Sequence, residues 1–154
     1  MRSTLRWAIA AGLVIVFMLI SMARTDRDVV VAQTHKPVFM TRLYTGPDGQ
    51  THAEDIEAKF AGGPVEIAKM GTVTGAELHR TPPGRVADWH VGPRRQYVIT
   101  LSGRGELEVA GGKKIQVGPG HIELIEDTTG KGHITRVTGS EDRVALFLTL
   151  AQQR

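Results

Sequence analysis

Six histidines, at positions 35, 52, 79, 90, 121 and 133, are the side chains of this sequence best able to move a proton or hold a metal near neutral pH. His52, His79 and His121 lie near turns or strand ends, which predicts exposure rather than ligation. His90 sits in a denser neighbourhood, Asp88-Trp89-His90, followed by Arg94-Arg95-Gln96-Tyr97. A neutral imidazole is one donor and one acceptor, so an amide such as Gln96 can satisfy it from either side. Arg94 and Arg95 have the planar fork that grips a carboxylate or phosphate with two hydrogen bonds, or else form an exposed pair at a strand entry. Trp89 and Tyr97 are read two ways, as packing residues or as contacts to a bound molecule. Thr129-Gly130-Lys131-Gly132 is no phosphate loop. Such a loop needs a glycine where Ile125 stands and a Ser or Thr where Gly132 stands. No serine lies between glycines in a nucleophile elbow. With no cysteine in the chain, thiol nucleophiles, disulfides and iron–sulfur sites are excluded.

The elements that must position these groups are short. From Val38 onward Gly, Pro or Asp recurs every several residues, and the stretches between are rich in Val, Ile, Leu and Thr. That spacing predicts an all-β sandwich or barrel. The predicted strands are Val38–Leu43, Val65–Val73, Ala76–Arg80, Gln96–Ser102, Glu106–Val109, Lys113–Val117, Ile122–Glu126, Ile134–Val137 and Val144–Leu150. Thr51–Phe60 fits a helix by composition and a strand by the alternation of Ile56, Ala58 and Phe60. Gly111-Gly112 supplies the positive φ angles of a tight hairpin turn. Period-2 alternation in Gln96–Ser102 places Gln96, Val98 and Thr100 on one face and Tyr97, Ile99 and Leu101 on the other.

The N-terminal stretch is built differently. Arg2 and Arg6 precede an apolar run from Trp7 to Met22, the pattern of a secretory signal or an uncleaved anchor. Ser21-Met22-Ala23 and Val30-Val31-Ala32 offer cleavage patterns, and the basic start puts the domain outside the cytoplasm. The domain reading is therefore a signal peptide or membrane anchor with linker over 1–32 and one barrel over 38–150. The formal charge is +3, but without residues 1–32 the chain keeps 15 Lys and Arg against 14 Asp and Glu. The basic residues of that remainder are scattered, so no nucleic-acid stripe is present. Contact with a membrane is expected only through the N-terminal segment.

The stretch Gly84–Gly103 resembles the first motif of the cupin superfamily, G-x5-H-x-H-x3-E-x6-G. Gly84, His90 and Gly103 are on register, Gln96 stands at the glutamate and Gly92 at the second histidine. Gly130, Gly132 and His133 match the end of the second motif, in which Val137 replaces an asparagine. The blocks Asp88–His90, Pro93–Gln96, Leu101–Gly103 and Glu126–His133 are similar to those of small single-domain bacterial cupins. The resemblance implies a double-stranded β-helix, or jelly-roll barrel. It also implies a divalent ion (zinc, nickel, manganese or iron) on His90, Gln96 and His133; Asp88, Glu126 and Asp127 are near enough in sequence to be read as compensating donors. This set lacks the family's anionic ligand and one histidine. Two functions stay open: a binding module holding a small organic molecule against Trp89, Arg94, Arg95 and Tyr97, and a metal-dependent oxygenase, isomerase or lyase. Catalytic residues are unassigned, and a homodimer formed through an edge strand is a third expectation.

Overall fold

The computed structural model describes residues 35–152. The leader expected over 1–32 lies outside the described residues. Among those described, no helix is long and apolar enough to cross a membrane.

Twelve strands follow in chain order: β1 (Phe39–Thr45), β2 (Thr51–Glu57), β3 (Ala61–Gly62), β4 (Glu66–Ile67), β5 (Val73–Thr81), β6 (Val86–His90), β7 (Gln96–Ser102), β8 (Arg104–Glu108), β9 (Lys114–Val117), β10 (Ile122–Glu126), β11 (His133–Thr138) and β12 (Arg143–Leu150). Six form one sheet in the order β2-β1-β10-β7-β12-β5, and four form a second in the order β6-β11-β8-β9. β3 and β4 make a separate small hairpin. Strands adjacent in space are distant in sequence: β1 runs parallel to β10, and β7 is flanked by β10 and β12. The described residues are all-β, as the punctuation of the sequence predicts.

Alternation along the strands decides what each sheet buries. Leu43, Val98, Ile125 and Ala145 of the six-stranded sheet cluster with Leu107, Val109 and Val117 from the region of the smaller one, filling the space between the sheets. Leu43 and Leu107 are fully buried and each contributes about 2 kcal/mol through lost apolar exposure. Residues of opposite parity, Met40, Tyr97, Leu124 and Leu150, form a second cluster on the far side of the large sheet. Ala58 and Met70, from the segment joining β2 to β5, pack against it. The predicted alternation of β7 is observed, with Gln96 and Val98 lining the space between the sheets and Tyr97 in the outer cluster.

One open reading is decided and two elements differ from expectation. Thr51–Glu57 is a strand, so alternation outweighs helix-favouring composition there. The strand expected over Val65–Val73 is broken: Glu66–Ile67 pairs in the small hairpin, and extended structure resumes at Val73, after Gly71 at φ +105°. β6 was missed because its five residues hold a single apolar alternation between turn residues. The Gly111-Gly112 turn forms as expected, with both glycines at positive φ, inside one short 3₁₀ turn.

Candidate functional site

A cavity of about 320 Å³ opens between the two sheets. β5, β7, β10 and β12 wall it on one side, β6 and β11 on the other. His90, Gln96 and His133 all line it, so two motifs more than 40 residues apart in the sequence converge as the resemblance implies. The convergence follows from strand register. His133 on β11 pairs directly with His90 on β6, and the imidazole centroids lie 4.5 Å apart. Gly132, at φ +78°, makes the turn into β11, where a Cβ would stand 2.0 Å from the His90 carbonyl oxygen.

Hydrogen bonds fix both imidazoles. His133 Nδ1 lies 2.6 Å from Asp127 Oδ2, and because a carboxylate only accepts, Nδ1 carries the proton. Asp127 Oδ2 also accepts from the Thr51 hydroxyl at 3.0 Å. His90 Nδ1 donates to the Asp88 carbonyl at 2.7 Å. In the neutral state each ring is left with a lone pair on Nε2, and neither Nε2 has a hydrogen-bond partner among the described residues. Gln96 is buried in the cavity wall but bonds to neither ring, contrary to a histidine–amide pairing.

The two buried charged residues of the wall escaped the sequence reading. Glu123 on β10 and Arg143 at the start of β12 form a buried ion pair at 2.5 Å, and Arg143 also donates to the Thr100 hydroxyl through Nε and Nη2. Burial pushes the Glu123 carboxyl above its ordinary range, against the pull of Arg143. The available signal was Glu123 flanked by Ile122 and Leu124 in a strand segment; its partner comes from a strand not adjacent in sequence. His79 is exposed, as expected, and from the cavity wall it stacks on Phe147 with centroids 4.0 Å apart.

Of the four expected ligand contacts, Arg94 alone lines the cavity. It lies 3.4 Å from Glu77, another wall residue. Arg95 pairs with Glu126, which is also bound by Arg42, and none of the three lines the cavity. Burial alone would raise the Glu126 carboxyl, but the hydrogen bonds from Arg95 and Arg42 outweigh it and hold it low. Tyr97 belongs to the outer apolar cluster, where burial raises its phenol. Trp89 stands outside the cavity wall with the Lys131 ammonium 3.9 Å above its ring.

The donor set does not fit a tightly held metal. Among the described residues no three His, Cys, Asp or Glu side chains group as a cation site requires. Asp127 sits behind His133 and is absent from the cavity wall, although its Oδ1 is buried without a partner. The Asp88 carboxylate accepts from the Trp89 amide at 2.8 Å, and Glu126 is committed to two arginines. Gly92 stands where the family pattern has its second histidine, and a Cβ there would come within 2.4 Å of the Ile125 side chain. Ile125 thus fills the space a ligating side chain would need.

No family model and no curated protein matches the chain. Solved structures do. An RmlC-like cupin protein from Desulfovibrio desulfuricans is 13% identical over 72% of this chain and 81% of that one, with a TM-score of 0.38. The Cnp3 cupin domain of Schizosaccharomyces pombe is 12% identical over 76% of this chain and 86% of that one, with a TM-score of 0.42. A conserved Streptococcus pyogenes protein of unknown function is 15% identical over 56% of this chain and 72% of that one, with a TM-score of 0.41. The chemistry of the site stands on this chain's own geometry.

Proposed function

We propose that this chain is an exported cupin-type module that binds a small organic molecule between its two sheets. One observation carries the reading: the cavity of about 320 Å³ gathers apolar and polar side chains from both sheets around one space. Its volume is at the low end of the range for small-molecule pockets, which suits a metabolite and not a polymer. Val98, Ile125, Val137 and Phe147 offer a surface for an apolar body. His90 and His133 offer two fixed imidazole acceptors, so the ligand's polar end carries a hydroxyl or N–H donor. Asp127 and the Asp88 carbonyl hold the rings in place before any ligand arrives, which lowers the ordering cost of binding. Export is supported by the basic and apolar N-terminal stretch of the sequence.

The test uses calorimetric titration of small alcohols, amides and hydroxy acids into the wild type and into Val98→Trp, whose indole would fill the cavity from β7. Binding to the wild type that disappears in Val98→Trp supports the module. Equal binding by both proteins places the ligand elsewhere and overturns it. For export, the mature N-terminus found by mass spectrometry should follow Ala23 or Ala32, and an intact chain in the cytoplasm contradicts that part.

A further inference from the structure

Strand β5 ends the six-stranded sheet, and among the described residues no strand pairs with its outer side. It is nine residues long, and eight of them are exposed. A long edge strand of this kind is a template for another strand unless something covers it. The strand contains neither proline nor lysine, and its Leu78, next to the centre, is 65% exposed.

The register of the sheet gives that leucine a context. Leu78 lies opposite Leu146, Leu146 opposite Ile99, and Ile99 opposite Ile122. An apolar row thus crosses four strands on the outer face and stops, uncapped, at the edge. Cross-strand neighbours of this kind stabilise a sheet by packing against one another. On the other face of β5, Glu77 and His79 line the cavity and bond to one another at 2.8 Å.

We propose that a second copy of this chain pairs antiparallel with β5 about a two-fold axis at Leu78, joining the two large sheets into one. If both cavities are to face the same side, residues directly opposite each other must share parity, which leaves few registers near the strand's centre. Centring on Glu77 sets that carboxylate against its own copy, and like charges directly opposite are unfavourable. Centring on His79 sets histidine against histidine and Leu78 against an arginine, Arg80. Centring on Leu78 carries the apolar row through the axis into the second copy. It also places each Glu77 opposite His79 of the other chain, twice by symmetry. The edge is therefore self-complementary in both hydrophobicity and charge in that single register. Because Glu77 and His79 belong to the cavity wall, each copy supplies side chains to the rim of the other's cavity.

The test uses the full chain, which contains no cysteine, so a single introduced thiol reports cleanly. Under mild oxidation Leu78→Cys should form a disulfide-linked dimer, because its Cα then faces its own copy. Arg80→Cys, on the same face, should not: in this register it is offset from its copy by four residues, about 13 Å along the strand. In light scattering the wild type should have twice the monomer mass. Leu78→Lys, a change at an exposed position, should halve that mass with its circular dichroism unchanged. A monomeric wild type, an unaltered mass for Leu78→Lys, or crosslinking of Arg80→Cys as readily as Leu78→Cys overturns the proposal.

Discussion

At the scale of single residues, the site depends on side chains that hold other side chains. Asp127 is fully buried, and it anchors His133 and Thr51 together. Asp127→Ala leaves a buried imidazole N–H and a hydroxyl without their acceptor, so denaturant unfolding should show a loss of about 2–4 kcal/mol. Gln96→Glu restores the anionic donor of the family pattern and sets a carboxylate in the wall that already holds Glu123. Without a metal the change should lower the melting temperature, through a desolvation cost of about 1–3 kcal/mol. With zinc, nickel, manganese or ferrous iron added, the variant should recover more stability than the wild type gains. Equal response of the two proteins to every ion would show that the three positions do not act as one donor set. Glu126 gives a pH prediction. Its pKa is lowered in the fold, so its contribution is present above the unfolded carboxylate value of about 4.3 and is lost as pH falls through the lower folded value. Glu126→Gln should therefore flatten the acid limb of stability against pH, and an unchanged limb would mean that the two arginines add nothing.

The same residues show how far the sequence reached. His90, Gln96 and His133 were legible because motif spacing survives without any knowledge of the neighbouring strands. Glu123 and Arg143 were not, because their pairing arises from strand order, with β7 lying between β10 and β12. Arg95 and Tyr97 were placed near the ligand by proximity to His90 along the chain. In an extended segment, neighbours point to opposite faces, and Tyr97 is turned away from Gln96 by one residue.

At the scale of elements, the strands that alternate over five or more residues were readable, and the boundaries and the short pieces were not. β10 and β12 were found nearly to the residue, since Ile122–Glu126 and Val144–Leu150 are apolar runs bounded by turns. The region before β5 misled because Val65, Ile67 and Val73 give a β-like composition, yet glycines divide it into a hairpin and a strand start. One turn matters more than its length suggests. Gly132 has positive φ and no room for a Cβ beneath the His90 carbonyl. Gly132→Ala should cost about 1–3 kcal/mol, from backbone strain and from the displaced β6–β11 pairing. The loss should be read by chemical denaturation, together with altered NMR shifts of the His90 and His133 rings. Gly111→Ala, at positive φ in open space, is the control: it should strain the turn yet leave both rings unmoved.

At the scale of the whole molecule, two sheets enclose a cavity whose polar groups are already oriented, and the central claim is that a small organic molecule occupies it. The most direct measurement is an amide-resolved NMR screen of small organic molecules against the isotopically labelled protein. The account predicts hits whose perturbations centre on Gln96, Val98, Glu123, Ile125 and His133, with the outward-facing Ile99 and Leu101 little moved. Those perturbations should vanish when Val98→Trp fills the space. Hits that gather on the outer face of the large sheet, or that persist in Val98→Trp, would contradict it.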